Sequence, residues 1–433
     1  MSIEAAVLSD FRQSLDALAD KAPRTDRSDE DRMARARSTF MARVGRRTAV
    51  DLETCIHCGM CAEACHFYMA TENERYTPAY KVEPLRRFYR REISPLRLLN
   101  RVFVRKVDLE ELAQWSELVF DACTGCGRCD MMCPMGINIS ESSGIMREGL
   151  AAAGLVPDEL AALQAEQRER NSVFGVGADQ LRAAVADLAN GKEVPLDKPQ
   201  ADVLLLSTAV EVRLFRGAIG AAAKILNKAG VNWTMSTDAF EAANLGLISG
   251  DRATRKAAVS RIVDKAKEIG AKTVVVPESG HAYQSLRWES ANDVGEALPF
   301  EVVAISEFVA RAIDEGKLSI KKPGNLSSVT YHDPCRLARQ GGVFEEPRAV
   351  LKAMGLDVRE TESNGRENLC CGGGCGEYVI GRGAALRQRA FNLKRHELDH
   401  TGADAVVTGC NNCRINLAIG AEQSGWEMPV VSL

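Results

Sequence analysis

The pattern of apolar residues changes near residue 200 and divides the chain into two parts. Upstream of this point, the pattern predicts helices at residues 84–91, from residue 95 onward, and at residues 109–120. The stretch from 151 to about 195 also has a helical pattern. Residues 191–200 contain a glycine, two prolines and several charges, so they are predicted to form a linker.

Downstream of residue 200, short apolar runs alternate with amphipathic helices. The runs predict strands at residues 203–206, 273–277, 302–305 and 405–407, with a helix at 218–226 after the first strand. Short buried strands separated by helices are typical of a parallel sheet. The chain is therefore predicted to be an α+β multidomain protein, in which a helical part precedes a Rossmann-like α/β part.

The α/β part also contains an internal repeat. A strand runs into a Cys-x2-Cys segment in the second half, and a similar strand runs into a segment without cysteines in the first half. The matched positions in the first and second halves are Ser279 and Cys410, Ala282 and Cys413, and residues 241–243 and 369–371. The first half is therefore predicted to be a copy of the second half that lacks the cysteines.

Composition and charge narrow the class of protein. The 433 residues are 26% charged and 45% hydrophobic, which is typical of a soluble globular protein of two or three domains. The net charge of −4 gives no reason to expect nucleic acid as a partner. No apolar run approaches the roughly 18 residues that span a bilayer, and the N-terminus carries acids where a signal peptide is apolar. We expect a cytoplasmic protein, membrane-associated only through a partner, in which cysteines bind metal.

Eight of the fourteen cysteines form two runs with the spacing C-x2-C-x2-C-x3-C. This spacing predicts two [4Fe–4S] clusters, because the fourth cysteine of each run serves the other cluster. The predicted ligand sets are Cys55, Cys58, Cys61 and Cys133 for one cluster, and Cys123, Cys126, Cys129 and Cys65 for the other. Two structural zinc sites are the weaker alternative, since zinc needs no third cysteine at this spacing.

The other six cysteines are Cys335, Cys370, Cys371, Cys375, Cys410 and Cys413. Cys375 lies in a glycine-rich loop, and a metal ligand, a redox-active thiol and an unused buried thiol are all open for it. His332, Asp333 and Arg336 flank Cys335, where they could supply protons, hold an anionic sulfur group or form hydrogen bonds to ligands. Cys375, His332, Asp333 and Arg336 are the candidate catalytic residues.

Both cysteine-rich regions resemble parts of heterodisulfide reductases. The two runs, with 57 residues between Cys65 and Cys123, resemble the α-helical dicluster ferredoxin of the C subunit. The third group resembles the cysteine-rich CCG domain of the B and D subunits. That resemblance implies a third iron–sulfur cluster, cubane or noncubane, on Cys335, Cys370, Cys371, Cys410 and Cys413.

These resemblances complete the predicted domain organisation. The expected segments are a helical extension (1–48), a dicluster ferredoxin (49–150), a helical linker (151–200), a degenerate CCG repeat (201–323) and an intact CCG repeat (324–433). The whole chain resembles the D subunit of heterodisulfide reductase, which is a fusion of the C and B subunits.

The resemblance implies an oxidoreductase subunit that is active in a complex. It would pass electrons through two [4Fe–4S] clusters to or from a CCG site that acts on a disulfide, a persulfide or protein-bound sulfur. Implied partners are a flavoprotein, a second CCG subunit or a membrane cytochrome b, and a sulfur-carrying molecule or protein. The alternative is a conduit from a glycolate, glycerol 3-phosphate, lactate or electron-transferring flavoprotein system to quinone. A redox or iron sensor is a third option, without any DNA-binding motif to support it.

Nine lysines and arginines lie between Lys81 and Lys106. They predict either a solvated basic face or a docking surface for a partner or an anionic membrane. Phe88, Tyr89, Leu98 and Leu99 are the expected apolar anchors of such a surface.

Overall fold

The computed structural model describes residues 5–188, 193–324 and 326–433. The first four residues of the predicted helical extension, residues 189–192 of the predicted helical linker and residue 325 of the predicted intact CCG repeat lie outside this range. Among the described residues, no helix combines the length and apolar character needed to cross a membrane.

The part of the chain before residue 187 is helical. Its helices are α1 (Ala5–Asp16), α2 (Asp29–Arg43), α3 (Arg46–Thr54), α4 (Met60–Glu63), α5 (His66–Met69), α6 (Pro78–Lys81), α7 (Glu83–Glu92), α8 (Arg97–Phe103), α9 (Leu109–Ser116), α10 (Arg128–Met132), α11 (Ile139–Ala152), α12 (Asp158–Arg170) and α13 (Ala178–Ala186).

Side-chain caps fix the starts of several of these helices. Ser28, Asp108 and Asn138 each accept a hydrogen bond from the backbone N–H three residues on, at the starts of α2, α9 and α11. Helix α9 continues into a π-helical turn, Glu117–Asp121, which leads into the second cysteine run. These caps set where the helices around the cysteine loops begin.

The part of the chain after residue 200 forms two parallel sheets with surrounding helices. The first comprises β1 (Val203–Leu205), α14 (Ala209–Leu214), α15 (Arg216–Lys228), β2 (Trp233–Thr234), α16 (Leu245–Ser249), α17 (Arg252–Glu268), β3 (Thr273–Val276), α18 (Gly280–Gln284), α19 (Ser290–Val294), β4 (Glu301–Ala304) and α20 (Ile305–Asp314). The second comprises β5 (Ser328–Tyr331), α21 (Glu345–Ala353), β6 (Asp357–Val358), α22 (Ala384–His400), β7 (Ala405–Thr408), α23 (Asn411–Ser424) and β8 (Val430–Ser432).

The two sheets have the same topology. Their strand orders are β2-β1-β3-β4 and β6-β5-β7-β8, and every pairing is parallel. The central pairs share one register: Leu204 lies opposite Val274, five residues before Ser279, and Val329 lies opposite Ala405, five residues before Cys410. Ser279 and Cys410 are the N-caps of the helices that follow β3 and β7. The carboxyl ends of parallel strands form the usual ligand-binding edge of such a sheet.

The α+β fold class and the predicted helices and strands are confirmed. The helix predicted at 84–91 is α7, and the strands predicted at 203–206, 273–277, 302–305 and 405–407 are β1, β3, β4 and β7. The expected anchors Phe88 and Tyr89 are a correction: each is only 5% exposed, since both pack into the core of the helical part.

One hydrophobic core joins the helical part to the first sheet. It runs from Leu8 and Phe40 in the N-terminal helices to Leu205 in β1 and Val275 in β3. Helix α2 lies so close to α11 that a Cβ on Gly149 would stand 2.1 Å from the ring of Phe40. This shared core holds the cysteine loops of the helical part against the α/β part.

Candidate iron–sulfur and sulfur-redox site

The structure brings four cysteines of the two runs to one cavity near the surface. Cys55, Cys58, Cys61 and Cys133 line it together, and Cys58 is exposed. All fourteen cysteines are free thiols, so no disulfide competes for them. Four thiols converging on one cavity is the donor set that a [4Fe–4S] cluster needs. The residues therefore fit the predicted first cluster.

The other four cysteines of the runs line a second, deeper cavity. Cys65, Cys123, Cys126 and Cys129 surround it with His66 and Lys81. Each set thus combines the first three cysteines of one run with the fourth cysteine of the other run, Cys133 in the first cavity and Cys65 in the second. The residues fit the predicted second cluster equally well.

Lys81 is a functional candidate that the sequence did not single out. Its side chain is 2% exposed, and its Nζ lies 3.4 Å from Cys65 Sγ and donates to the carbonyl of Ala122. Burial by itself would lower the pKa of Lys81, but the sulfurs of Cys65 and Cys123 raise it, so the ammonium stays charged. A buried positive charge beside the second cavity stabilises added negative charge there.

The third cysteine group converges at the carboxyl edge of the second sheet. Cys335 follows β5, Cys410 and Cys413 lie at the start of α23 after β7, and Cys370 and Cys371 enter from a loop. All five are buried, and the sulfurs of Cys371 and Cys413 are 3.4 Å apart. Both ring nitrogens of buried His332 lack a hydrogen-bond partner among the described residues, and one lies within 4.8 Å of these two sulfurs. Unpaired buried ligands of this kind fit a further cluster.

This group is packed directly against the second cavity. Cys370 Sγ lies 3.4 Å from Thr124 Oγ1, and a Cβ on Gly374 would stand 3.2 Å from the Thr124 side chain. A nitrogen of buried His66 and the sulfurs of Cys126 and Cys370 lie within 4.8 Å of one another. Since Cys126 and Cys370 belong to different predicted clusters, the two sites adjoin with no intervening layer of protein.

Cys375 is held in an unusual backbone conformation beside this junction. Its φ of +54° is in the left-handed region, which non-glycine residues seldom adopt without a functional reason. Nη2 of Arg336 donates to Cys375 Sγ at 2.6 Å, and the same guanidinium donates to Gln284. A Cβ on Gly125 would lie 3.1 Å from Cys375 Sγ, so the thiol also touches the second cysteine run.

Cys375 and Arg336 open into a polar cleft of about 470 Å³. The cleft lies where the helical part meets both sheets. It is lined by five arginines, Arg43, Arg147, Arg252, Arg255 and Arg336, and by four acids, Asp130, Glu141, Glu148 and Glu289. Arg43 and Arg255 are paired with acids, whereas Arg252 has no ion pair among the described residues. The cleft thus offers positive charge next to a buried thiol.

Asp333 is placed differently from the other candidate catalytic residues. Its two oxygens accept from Arg348 at 2.8 and 2.9 Å, and one also accepts from the backbone of Gly365. This buried ion pair anchors the loop that leads to Cys370, because Asn368 donates to the carbonyl of Asp333. The geometry favours a positioning role, and a catalytic role for Asp333 stays a prediction.

Comparison with known proteins matches both cysteine-rich regions. Residues 54–138 match the model of the 4Fe-4S dicluster domain, and residues 329–418 match that of the cysteine-rich CCG domain. The dihydromethanophenazine:CoB–CoM heterodisulfide reductase of Methanosarcina mazei has a D subunit that is 28% identical, over 88% of this chain and 92% of its own length. The chain thus combines a 4Fe-4S dicluster domain with a cysteine-rich CCG domain and is similar to heterodisulfide reductase D subunits over most of its length.

Two further relatives match over a similar share of the chain. The Hdr-like menaquinol oxidoreductase iron–sulfur subunit 2 of Archaeoglobus fulgidus is 25% identical over 88% of this chain and 77% of its own length. The EtfAB:quinone oxidoreductase of Syntrophomonas wolfei is 28% identical over 87% of this chain and 56% of its own length. The cofactors of this chain are two [4Fe–4S] clusters and one further iron–sulfur cluster. The assignment of individual cysteines to each cluster stays a prediction.

Proposed function

We propose that this chain is an oxidoreductase subunit that exchanges electrons between a redox partner and a sulfur compound bound beside Cys375. The observation that carries the proposal is the contact between the third cysteine group and the second cavity, where Cys370 Sγ lies 3.4 Å from Thr124 Oγ1. Clusters that adjoin in this way exchange electrons readily. A sulfur compound at the third group would therefore be in redox contact with the rest of the chain.

The reaction requires two electrons. Reduction of a disulfide RS–SR′ breaks the S–S bond, consumes two electrons and two protons, and releases RSH and R′SH. When bound, the two [4Fe–4S] clusters supply one electron each. The residues of the chain would bind the substrate, exclude water and hold the sulfur atoms in place.

The cleft supports an anionic sulfur compound as the substrate. Arg336 and Arg252 place positive charge at its wall, and Gln284 fixes the Arg336 guanidinium against Cys375. A guanidinium binds carboxylate, sulfonate or phosphate groups through paired hydrogen bonds. The substrate's charged group would bind these arginines while its sulfur faces Cys375.

The partners proposed for the chain follow from its relatives, which are named as subunits or as quinone-linked oxidoreductases. Cys58 of the first cavity is exposed, so the first cluster would be the site of exchange with a flavoprotein, a second CCG subunit or a membrane cytochrome b. The sulfur chemistry would occur at the third cysteine group, at the other end of the series of clusters.

A second candidate function is an electron conduit without sulfur chemistry. The observation in its favour is that the first sheet has Ser279 and Ala282 where the second has Cys410 and Cys413. A relative named EtfAB:quinone oxidoreductase is consistent with this function. In a conduit, the CCG part would dock the partner, and small sulfur compounds would not react.

Single-turnover kinetics separate the two functions. The anaerobic holoprotein, reduced with dithionite and freed of excess reductant, is mixed with a small anionic disulfide while cluster absorption and released thiol are recorded. We expect reoxidation coupled to the release of two thiols per disulfide, and loss of both signals in Cys371→Ser. Ser279→Ala, at the equivalent edge of the first sheet, is the matched control. Absence of any reaction in the wild type would favour the conduit.

A further inference from the structure

Helix α8 and the turn before it expose their apolar side chains to solvent. Leu96, Leu98, Leu99, Val102 and Phe103, here called the apolar ridge, are 64, 73, 57, 77 and 77% exposed. The half-buried residue of the helix is polar instead: Asn100 Nδ2 donates to the carbonyl of Arg90 at 3.0 Å. Surface helices normally bury their apolar face, so an exposed face of this size marks a binding surface.

The charge of this segment indicates what the ridge contacts. Residues 95–106 contain four basic residues, Arg97, Arg101, Arg105 and Lys106, and no acid. Arg101 is paired with Glu92, but Arg97 and Arg105 have no ion pair among the described residues. Leucine, valine and phenylalanine flanked by basic residues is the composition of helices that lie in the interface of an anionic membrane.

We infer that the apolar ridge inserts into the surface of an anionic lipid bilayer, while the basic residues beside it contact lipid headgroups. The charge of the segment favours this occupant, because residues 95–106 carry four basic residues and no acid beside the exposed apolar side chains. This inference does not depend on the sulfur chemistry proposed above.

Membrane contact through α8 also has a consequence for electron transfer. Helix α7 connects the ridge to the first cysteine cavity. Arg86 Nη2 lies 3.4 Å from the carbonyl of Cys55. One turn later in α7, the backbone carbonyl of Arg90 accepts a hydrogen bond from Asn100 of α8. One turn of helix advances about 5.4 Å. Docking through the ridge therefore brings the first cavity, with exposed Cys58, close to the membrane surface.

Vesicle co-sedimentation of the holoprotein tests the inference. We expect binding to vesicles of phosphatidylcholine mixed with phosphatidylglycerol, and much weaker binding to phosphatidylcholine alone. Val102→Asp should weaken binding to the anionic vesicles about tenfold or more, because it removes buried apolar surface and adds a negative charge. Exchange of Arg97 for glutamine should weaken it about fivefold, since one basic residue near an anionic surface contributes about 1 kcal/mol.

Val50→Asp is the matched control, since Val50 is also on a helix surface and is 58% exposed. It should bind as the wild type does, and cluster absorption should be the same in all variants. Equal binding of Val102→Asp and wild type would overturn the inference, as would failure of the wild type to bind anionic vesicles. The wild type could fail to bind vesicles while the ridge is buried in a complex with another protein. That result would identify the surface as a protein interface and overturn the inference.

Discussion

The two parallel sheets have the same strand order, yet different chemistry surrounds their carboxyl ends. At the first sheet, buried Glu241 accepts hydrogen bonds from the backbone of Ala209 and Ala243 and from Ser172. At the second sheet, buried cysteine sulfurs lie against one another, and both ring nitrogens of His332 lack a partner among the described residues.

The difference shows how one fold serves two purposes. Buried polar groups that satisfy each other close the crevice and stabilise the fold, whereas buried groups left without partners are kept for a ligand. At the edge of the first sheet, Glu241 is therefore satisfied without a cofactor, whereas the cysteines and His332 at the second sheet are left available for one. Four predictions sharpen this contrast and extend it to the helical part, and they are ordered by decreasing effect on the redox sites.

Removal of Cys371 should eliminate the third cluster and leave the other two. Cys371→Ser should lower the iron content by roughly four per chain, with complete loss of disulfide reduction. The EPR signals of the two reduced [4Fe–4S] clusters should remain. Ser279→Ala should change neither quantity. Loss of iron from all three sites in Cys371→Ser would show that the sites are not separate.

Arg336 should matter for turnover more than for cluster content. Its guanidinium contacts Cys375 and lines the cleft, so Arg336→Gln should reduce disulfide turnover about 10–100-fold, with a raised KM for anionic disulfides. Arg252→Gln, at the same cleft but without contact to Cys375, should raise KM and leave kcat nearly unchanged. A normal KM for anionic disulfides in Arg336→Gln would contradict the assigned role.

Lys81 lines the second cavity and not the first, so its replacement should affect the two clusters differently. Lys81→Met removes a buried positive charge beside Cys65, so reduction of the second cluster should become harder and its midpoint potential should fall. A fall on the order of 60 mV corresponds to about 1.4 kcal/mol for one electron. Redox titration followed by EPR measures it, and the first cluster is the internal control. An equal shift of both potentials would show a global effect instead.

The smallest effect on the redox sites is expected at the first sheet, where the titration of Glu211 changes the stability of the fold. Burial raises the pKa of Glu211 to about 7 from 4.5, although the nearby Asn411 side chain and the hydrogen bond that Ser207 donates oppose the rise. The folded chain then binds the proton more tightly than the unfolded chain, so this group's contribution to stability is present below pH 4.5 and lost as pH rises to about 7. Glu211→Gln should remove a pH-dependent loss of at most about 3 kcal/mol.

Urea unfolding of the wild type and of Glu211→Gln between about pH 5 and about pH 8 measures this loss. The exposed Glu315→Gln is the control. An unchanged pH profile in Glu211→Gln would mean that another group titrates.

Features that depend on residues close together in the chain could be predicted from the sequence. Cysteine spacing predicted the two clusters, and runs such as Val274–Val276 predicted buried strands that the structure confirms. Strand β5, Ser328–Tyr331, was missed because its polar residues do not form an apolar run. Strands β2 and β6 are two residues long, too short to give a pattern.

Features that depend on contacts between distant residues could not be predicted. Lys81 belongs to a basic stretch, and only the fold shows that its ammonium is buried beside Cys65. The packing of Thr124 against Cys370, 246 residues apart, has no local signal. Phe88 and Tyr89 were predicted to be surface anchors because they lie among basic residues in the sequence, but both pack into the core from α7.

Iron and sulfide analysis combined with EPR tests the central claim most directly. The protein is purified anaerobically, reduced, and measured with and without an anionic disulfide. We expect roughly twelve irons per chain and a third signal that changes on addition of the disulfide. Roughly eight irons, with spectra that the disulfide leaves unchanged, would contradict it and assign the chemistry to a partner.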